Sequence, residues 1–234
     1  SGPTVRVARM GTLYFVRHGQ AAFLTDNYDR LSELGRRQGA CLGTWWADQG
    51  MAVDAVFSGP GERHKDTAHA VAEALAERGQ TLPPCTVLPG LHEFAWEELL
   101  RAGTEAAANG DPVLKPLVDA LATAEGYAQK HRAVQNMMES LTLRWARGEI
   151  AAEDLESWTV FQARVNDAID QMIAGAGKGA HIAAFSSGGT IAIGMQRALD
   201  LAPPKTLELI WTLRNAAVVE FLFTGHRFSL GAFN

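Results

Sequence analysis

Short apolar runs alternate with amphipathic stretches along this chain, and this alternation constrains its fold more than any other feature. Residues 12–16 (TLYFV) form a β-rich run typical of a strand buried on both faces of a parallel sheet. Strands that alternate with helices predict an α/β three-layer sandwich with a mostly parallel central sheet. Further strands are predicted at 55–57, 86–88 and 181–185, with a closing hairpin at 217–223 and 228–233 around Thr224-Gly225.

Amphipathic periodicity predicts the helices between these strands. Ser32 can cap the first of them, which reaches Gln49 before Gly50 ends it. One stripe of this helix is expected to face the core. The stripe consists of Leu34, Gln38, Leu42 and Trp45 or Trp46. Further helices are predicted at 62–77, 157–173 and 188–199.

The segment 94–156 differs from the rest of the chain because its pattern is helical but irregular. Gly103, Gly110 and Pro112 are expected to break it. We interpret 94–156 as a helical cap insertion within one domain that spans 10–234. Residues 1–9 are interpreted as a tag remnant or a disordered N-terminus, since Ser1-Gly2 resembles a cleavage scar and Met10 could be a native start.

Charge and composition exclude several kinds of partner. The net charge of −5 gives no general attraction for nucleic acid or for anionic lipid. No apolar run approaches the roughly 20 residues that span a bilayer. Two cysteines without a metal or disulfide spacing, and no leader pattern, predict a cytoplasmic protein. The histidine spacings predict no metal site, and no cofactor is expected.

Three predicted strand ends carry polar residues suited to binding phosphate. Arg17-His18-Gly19 ends the first strand, the segment 58–63 with Arg63 follows the second, and Ser186-Ser187-Gly188-Gly189 follows the strand at 181–185. Ligands of parallel sheets bind at the carboxyl ends of the strands. A neutral imidazole can attack phosphorus while guanidinium groups hold the phosphoryl oxygens. Gly19 would let the backbone approach a ligand, and the helix start at Gly188 would offer amides to an anion. Taken singly, each of these three segments is also explained by an ordinary structural role, such as a turn or a solvated helix residue.

Five segments together resemble the histidine phosphatase superfamily, the phosphoglycerate mutase-like fold. They are LYFVRHGQA (13–21), LSELGRRQ (31–38), SGPGERHKDTA (58–68), LHE (91–93) and FSSGGTI (185–191). The resemblance implies that His18 is the phosphate-accepting nucleophile and that Arg17 and Arg63 bind the phosphoryl group. It also implies that Glu93 is the proton donor. The expected partner is a small phosphorylated substrate or phosphate ion, with no nucleic acid and no membrane.

The sequence departs from this resemblance at the second histidine of the family, which would fall at Ser187. Ser187 and Gly188 are then expected to bind phosphate without a second imidazole, at a cost on the order of 1 to 4 kcal/mol in stabilising the transferring oxygens. His64 and His92 are not expected to compensate, because neighbouring helix positions such as 63 and 64 face different ways. Asp26, Asp29 and Glu33 are interpreted as solvated charges.

Two function classes follow. The first is a phosphohydrolase, a phosphomonoesterase of low activity that acts through a phosphohistidine on His18. The second is a catalytically impaired phosphate-binding or regulatory protein, which the serine at 187 favours. Mutase activity on phosphoglycerate is disfavoured, because FAWEELL after Glu93 lacks the glycine-rich turn of the mutases and Gln20 stands where many members carry Glu. The cap carries no motif that names a substrate.

Overall fold

The computed structural model describes residues 10–22 and 29–234. The expected tag remnant at 1–9 and the charge at Asp26 lie outside the described residues. Over the described residues, the chain forms six strands, and every predicted strand boundary agrees with the structure to within one residue. The strands are β1 (Gly11–Arg17), β2 (Ala55–Ser58), β3 (Cys85–Val87), β4 (His181–Ser186), β5 (Val218–Thr224) and β6 (Arg227–Ala232).

The strands form a single mixed sheet in the order β3-β2-β4-β1-β5-β6. The first four strands in this order are parallel, β5 pairs antiparallel with β1, and β6 pairs antiparallel with β5. The register pairs Arg17 with Ser186 and Ser58 with Phe185, so three strands end at the same edge. The prediction of a mostly parallel sheet is confirmed, and the residues after β1, β2 and β4 converge.

The central strand β1 is buried on both faces, as predicted. Tyr14 and Val16 belong to a core cluster with the helix residues Trp46 and Val71. Leu13 and Phe15 point to the opposite face, because side chains alternate along a strand. On that face Phe15 packs edge-on against Phe221 of β5. Helices therefore cover both faces of the sheet, since the helix that carries Gly194 also packs on Phe221.

The helices of the structure include one that the sequence did not predict, the segment 203–212. The insertion contains three helices. Gly110 and Pro112 lie between the first two, as predicted, whereas Gly103 lies inside the first. The prediction that Gly103 breaks the helix is wrong, because a Cβ there would meet Leu141 at 2.3 Å and glycine serves close packing instead. The helices are α1 (Glu33–Asp48), α2 (Glu62–Ala76), α3 (Trp96–Ala108), α4 (Leu114–Thr123), α5 (Gly126–Ala146), α6 (Trp158–Ala174), α7 (Gly188–Leu199) and α8 (Pro203–Thr212).

The buried face of α1 differs from the predicted stripe. Ser32 caps the helix as predicted, its Oγ accepting the Gly35 N–H at 3.0 Å. Of the predicted stripe, Leu42 and Trp46 are buried, whereas Leu34 is exposed and Trp45 is 52% exposed. The face that packs on α2 is lined by glycines, and a Cβ at Gly43 would lie 2.5 Å from the Val71 carbonyl oxygen. The buried face of α1 therefore combines two of the predicted apolar residues with glycines that let α2 approach closely.

The chain divides into two compact units. The smaller comprises Phe94–Ala163 with Ala202–Glu208, and the larger contains the sheet. The smaller unit has its own aromatic cluster, in which Trp145 contacts Phe94, Trp158 and Phe161. Its bounds resemble those of the predicted insertion at 94–156. That this segment is an insertion within a single domain, and not a separate domain, stays a prediction. In the described part of the chain, no helix has both the length and the apolar character needed to cross a membrane.

Candidate active site

His18 lies directly after β1, at the edge where the parallel strands end, and only 6% of it is exposed. Its backbone is fixed on two sides. The His18 N–H donates to the Ser186 carbonyl at 2.8 Å. The His18 carbonyl accepts from the Asn215 side chain at 3.2 Å and from the Ala216 N–H at 3.3 Å. The residue is therefore held between β4 and the start of β5.

The imidazole of His18 has one defined hydrogen bond. Nδ1 lies 2.7 Å from the Gly19 carbonyl oxygen, which can only accept, so Nδ1 carries the proton. The lone pair then resides on Nε2. Burial, followed by the charges of Arg63 and Arg17, lowers the pKa of His18 to about 3, although the Gly19 carbonyl opposes this shift. The imidazole is neutral at neutral pH, which a nucleophilic nitrogen requires.

We expect His18 to remain neutral from pH 8 down to pH 5, and nitrogen-15 NMR of its ring should show no titration there. An exposed imidazole binds a proton near pH 6.5, so the unfolded chain gains a proton between pH 6.5 and 3 that folded His18 does not. The free energy of unfolding should fall as the pH falls through this range. Between pH 7 and pH 5 the loss should exceed that of His18→Gln by roughly 2 kcal/mol. Equal losses in denaturant titrations would contradict the assignment.

Gly19 allows α1 to approach the loop that carries His18. A Cβ at position 19 would lie 2.3 Å from the Gly35 carbonyl oxygen, so the packing of α1 requires glycine here, and the approach of a ligand to this backbone stays a prediction. The Gly19 N–H donates to the Thr67 hydroxyl at 3.0 Å, and that hydroxyl donates to the Arg63 carbonyl at 2.7 Å. The loop that carries His18 is thereby tied to the helix that carries Arg63.

The two arginines named by the sequence both lie at this edge. Arg17 donates from Nη1 to the Leu213 carbonyl and lies beside Gly188, where a Cβ would be 3.7 Å from its Nε. Arg63, in the first turn of α2, donates from Nη2 to the Ser187 hydroxyl at 3.3 Å. Both charges act on the pKa of His18. Two cationic groups therefore surround the imidazole.

Asp29 does not behave as a simple solvated charge, which corrects the sequence-based interpretation. Its Oδ1 accepts from Nη1 of Arg63 at 2.5 Å, and its Oδ2 accepts from the Glu62 N–H at 2.7 Å. The carboxylate therefore fixes one side of the guanidinium and caps the start of α2. Because it also places a negative charge beside the cationic group, it should weaken anion binding there.

Glu93 is brought to the start of α7 by contacts along its segment. Its Oε2 accepts from the Gly189 N–H at 2.9 Å. The Thr190 hydroxyl donates to the His92 carbonyl at 3.3 Å, and the Ser186 hydroxyl donates to the Leu91 carbonyl at 2.7 Å. A carboxylate is favoured at a helix N-terminus. One amide of the predicted anion-binding helix start is thus bonded to Glu93 within the protein.

Ser187 and His64 meet in this site, contrary to the expectation that His64 points elsewhere. His64 Nε2 and Ser187 Oγ are 2.6 Å apart. The His64 ring is fully buried, and its centroid lies 5.7 Å from that of His18. Adjacent helix positions do face different ways, but Ser187 lies where both Arg63 and His64 reach it. His92 is exposed, and its Nδ1 donates to the Glu93 carbonyl at 2.7 Å.

The pKa of His64 is lowered well below the usual value by burial and then by the charges of Arg63, His18 and His92, with the Gly59 backbone opposing the shift. The ring is therefore neutral beside Arg63. Among residues 10–22 and 29–234, no group of three or more His, Cys, Asp or Glu side chains could hold a metal ion. The chemistry supported by this arrangement is anion binding next to a neutral imidazole.

Sequence reasoning missed two contributors to the site and misassigned two others. Asn215 had no signal, since it precedes an antiparallel strand far along the chain. Thr67 lies within the segment 58–68, and its spacing of four from Arg63 could have suggested the observed contact. His64 and Asp29 were considered, but their side-chain directions depend on how α2 packs.

Comparison with known proteins gives consistent results for the fold. A search of curated proteins finds no match. Among solved structures, a phosphoglycerate mutase from Bacillus anthracis is 17% identical with a TM-score of 0.63, covering 96% of this chain and 93% of that one. A mycobacterial glucosyl-3-phosphoglycerate phosphatase is 19% identical with a TM-score of 0.62, covering 97% and 99%. The same phosphatase in complex with inorganic phosphate is 20% identical with a TM-score of 0.59, covering 96% of this chain and 97% of that one.

A family model provides the decisive comparison. The model of the histidine phosphatase superfamily, branch 1, matches residues 13–115 and 119–234. The match includes β1 with His18, α2 with Arg63 and the β4–α7 junction with Ser187. The fold is accordingly phosphoglycerate mutase-like, with a mixed and mostly parallel sheet. The chain belongs to branch 1 of the histidine phosphatase superfamily.

Proposed function

We propose that this protein is a phosphohydrolase that cleaves small phosphomonoesters through a phosphohistidine on His18. The observation that carries the proposal is the state of the His18 imidazole. It is neutral and buried, its Nδ1–H is bonded to Gly19, and Arg17 and Arg63 act on it. The Nε2 lone pair is therefore the nucleophile, and it lies near two positive charges. Phosphoryl transfer to histidine needs both a free lone pair and nearby cations.

In the first step, Nε2 of His18 forms a bond to phosphorus as the bond from phosphorus to the ester oxygen breaks. Glu93 gives the departing oxygen its proton, so the alcohol leaves neutral. In the second step, water attacks the phosphohistidine, Glu93 takes a proton from the water, and phosphate leaves Nε2. Arg17 and Arg63 hold the phosphoryl oxygens in both steps. Ser187 and the start of α7 at Gly188 complete the phosphate-binding group.

Two findings support action on a small phosphorylated substrate. Members of the superfamily bind phosphorylated substrates or phosphate, and one structural relative is a phosphatase solved with inorganic phosphate. The other relative named above is a mutase. A mutase would have to keep the dephosphorylated product bound so that the phosphoryl group could return to a second position on it.

A screen of phosphomonoesters, followed by trapping of the intermediate, tests this function. Purified protein should release phosphate from at least one small phosphomonoester. Quenching without acid after mixing with a labelled ester, and mapping the peptides, should place the label on residue 18. Label on His64 or His92, or release of phosphate without any labelled histidine, would contradict the mechanism.

A second candidate is favoured by Ser187. A serine hydroxyl brings one hydrogen bond but no positive charge, so the site has less to stabilise the transferring oxygens than an imidazolium would give. A protein of this kind could bind a phosphorylated ligand and turn over slowly or not at all. Binding of phosphate without hydrolysis in the same screen would select this candidate.

A further inference from the structure

His64 is a buried imidazole that the proposed mechanism does not use. It follows Arg63 on α2, and its Nε2 lies 2.6 Å from the Ser187 hydroxyl. No part of the ring is exposed, and its centroid is 5.7 Å from that of His18. Burying a polar ring beside a guanidinium costs free energy unless its hydrogen bonds are made. The bond to Ser187 is therefore the main clue to its role.

The loop before α2 is shaped to hold this ring. A Cβ at Gly59 would lie 2.4 Å from His64 Nδ1, and a Cβ at Gly61 would lie 3.2 Å from the same atom. Any other residue at position 59 would press on the imidazole. The glycines therefore leave the space that the ring fills, and the ring is confined between this loop and Ser187. A confined ring can fix the position of the hydroxyl it contacts.

The hydroxyl of Ser187 has one proton and two lone pairs to distribute. Arg63 donates to Oγ at 3.3 Å and uses one lone pair. If Nε2–H of His64 donates as well, both lone pairs are used and the hydroxyl proton is directed to a third partner. If the hydroxyl instead donates to His64, no proton is left for an anion. Only the first arrangement makes Ser187 a donor to phosphate.

We propose that His64 is the positioning residue of the phosphate pocket and that, with a phosphoryl group bound, its Nε2–H donates to Ser187 Oγ and aims the Ser187 hydroxyl at a phosphoryl oxygen. The proposal rests on the proposed function. By resemblance, the family carries its second imidazole at position 187; here the donor is divided between the Ser187 hydroxyl and an imidazole supplied by α2. His64 itself does not touch the substrate. Its ring is neutral at neutral pH and so carries one proton, which this arrangement places on Nε2.

A double-mutant cycle on vanadate binding separates positioning from packing. His64→Leu fills the space of the ring without a donor, and we expect it to weaken vanadate binding about tenfold, the effect of one lost hydrogen bond to an anion. In the Ser187→Ala background, the same change should alter binding less than about twofold. His64→Gln, whose amide can donate near the Nε2 position, should recover most of the affinity. His69→Leu, an exposed change on the same helix, is the control.

Equal losses in both serine and alanine backgrounds would overturn the proposal, because they would show that His64 acts only through packing. The wild-type protein supplies a second readout that does not depend on the variants folding. Nitrogen-15 NMR of the histidine-labelled vanadate complex should show the His64 proton on Nε2. A proton on Nδ1, with Nε2 unprotonated, would overturn it as well.

These readouts do not need turnover, so the two proposals can fail separately. If hydrolysis through His18 is observed but His64→Leu weakens binding equally in both backgrounds, the role of His64 is rejected and the proposed function stays intact. Absence of both vanadate binding and hydrolysis would reject the proposed function, and the role of His64 with it.

Discussion

His18→Gln should hydrolyse phosphomonoesters at least about 1,000-fold more slowly than the wild type, because an amide nitrogen cannot form the phosphoryl bond. The change removes the nucleophile but keeps a side chain of similar length in a buried position. Inorganic phosphate should still bind within about tenfold of the wild type, since Arg17 and Arg63 remain. The measurement is steady-state phosphate release, with calorimetry for phosphate binding.

The matched control is His226→Gln, an exposed histidine in the turn between β5 and β6. Its rate should equal that of the wild type, which excludes a general effect of losing an imidazole. Melting temperatures of both variants establish that they are folded. A folded His18→Gln protein with more than a tenth of the wild-type rate would rule out His18 as the nucleophile.

Arg63→Ala should weaken the binding of inorganic phosphate by about 100-fold, the largest binding effect that we expect from a single change. Charge-assisted hydrogen bonds in a partly buried site are worth roughly 1.5 to 3 kcal/mol, and Arg63 is only 11% exposed at its side chain. The substitution also leaves the Asp29 carboxylate without this guanidinium, so its negative charge acts on the incoming anion. Arg63→Lys keeps the charge but loses the planar fork, so its affinity for phosphate should lie between those of the wild type and Arg63→Ala.

Arg36→Ala is the control for this experiment, because Arg36 is half exposed and its contact with Asp66 at 3.5 Å is a surface ion pair. It should leave phosphate binding unchanged. Adding Asp29→Asn to Arg63→Ala should restore several-fold of the lost affinity, which measures the repulsion directly. Calorimetric titrations that show the same affinity for wild type and Arg63→Ala would remove Arg63 from the phosphate site.

Local pattern was sufficient for the sheet and for the outline of the site. The apolar runs predicted every strand boundary to within one residue. For β1 and β4 the reason is that a strand buried on both faces leaves no room for polar positions. The convergence of Arg17, Arg63 and Ser187 also followed from sequence. Parallel strands present their carboxyl ends at one edge, so residues after β1, β2 and β4 must meet there whatever their separation in the chain.

Packing decided what pattern could not. Helix α8 was not predicted. The predicted stripe of α1 was right for Leu42 and Trp46 but wrong for Leu34, and glycines line the rest of the buried face. A stripe of large apolar residues predicts the buried face of a helix only when the neighbouring element lies far enough away to leave room for those side chains. At Gly35, Gly39 and Gly43 the neighbouring backbone or side chains come within the space of a Cβ, so the absence of side chains selects the face.

The amino-acid sequence by itself determined the family, the sheet and the positions of Arg17, His18 and Arg63 at strand ends or helix starts. Only the tertiary structure decided that His64 joins them. Successive helix residues point about 100° apart, so sequence alone argued that His64 faces away from the group that Arg63 faces. The placement of Ser187 between the two directions lets both side chains reach one hydroxyl, and that placement depends on how β4 and α2 pack across the sheet.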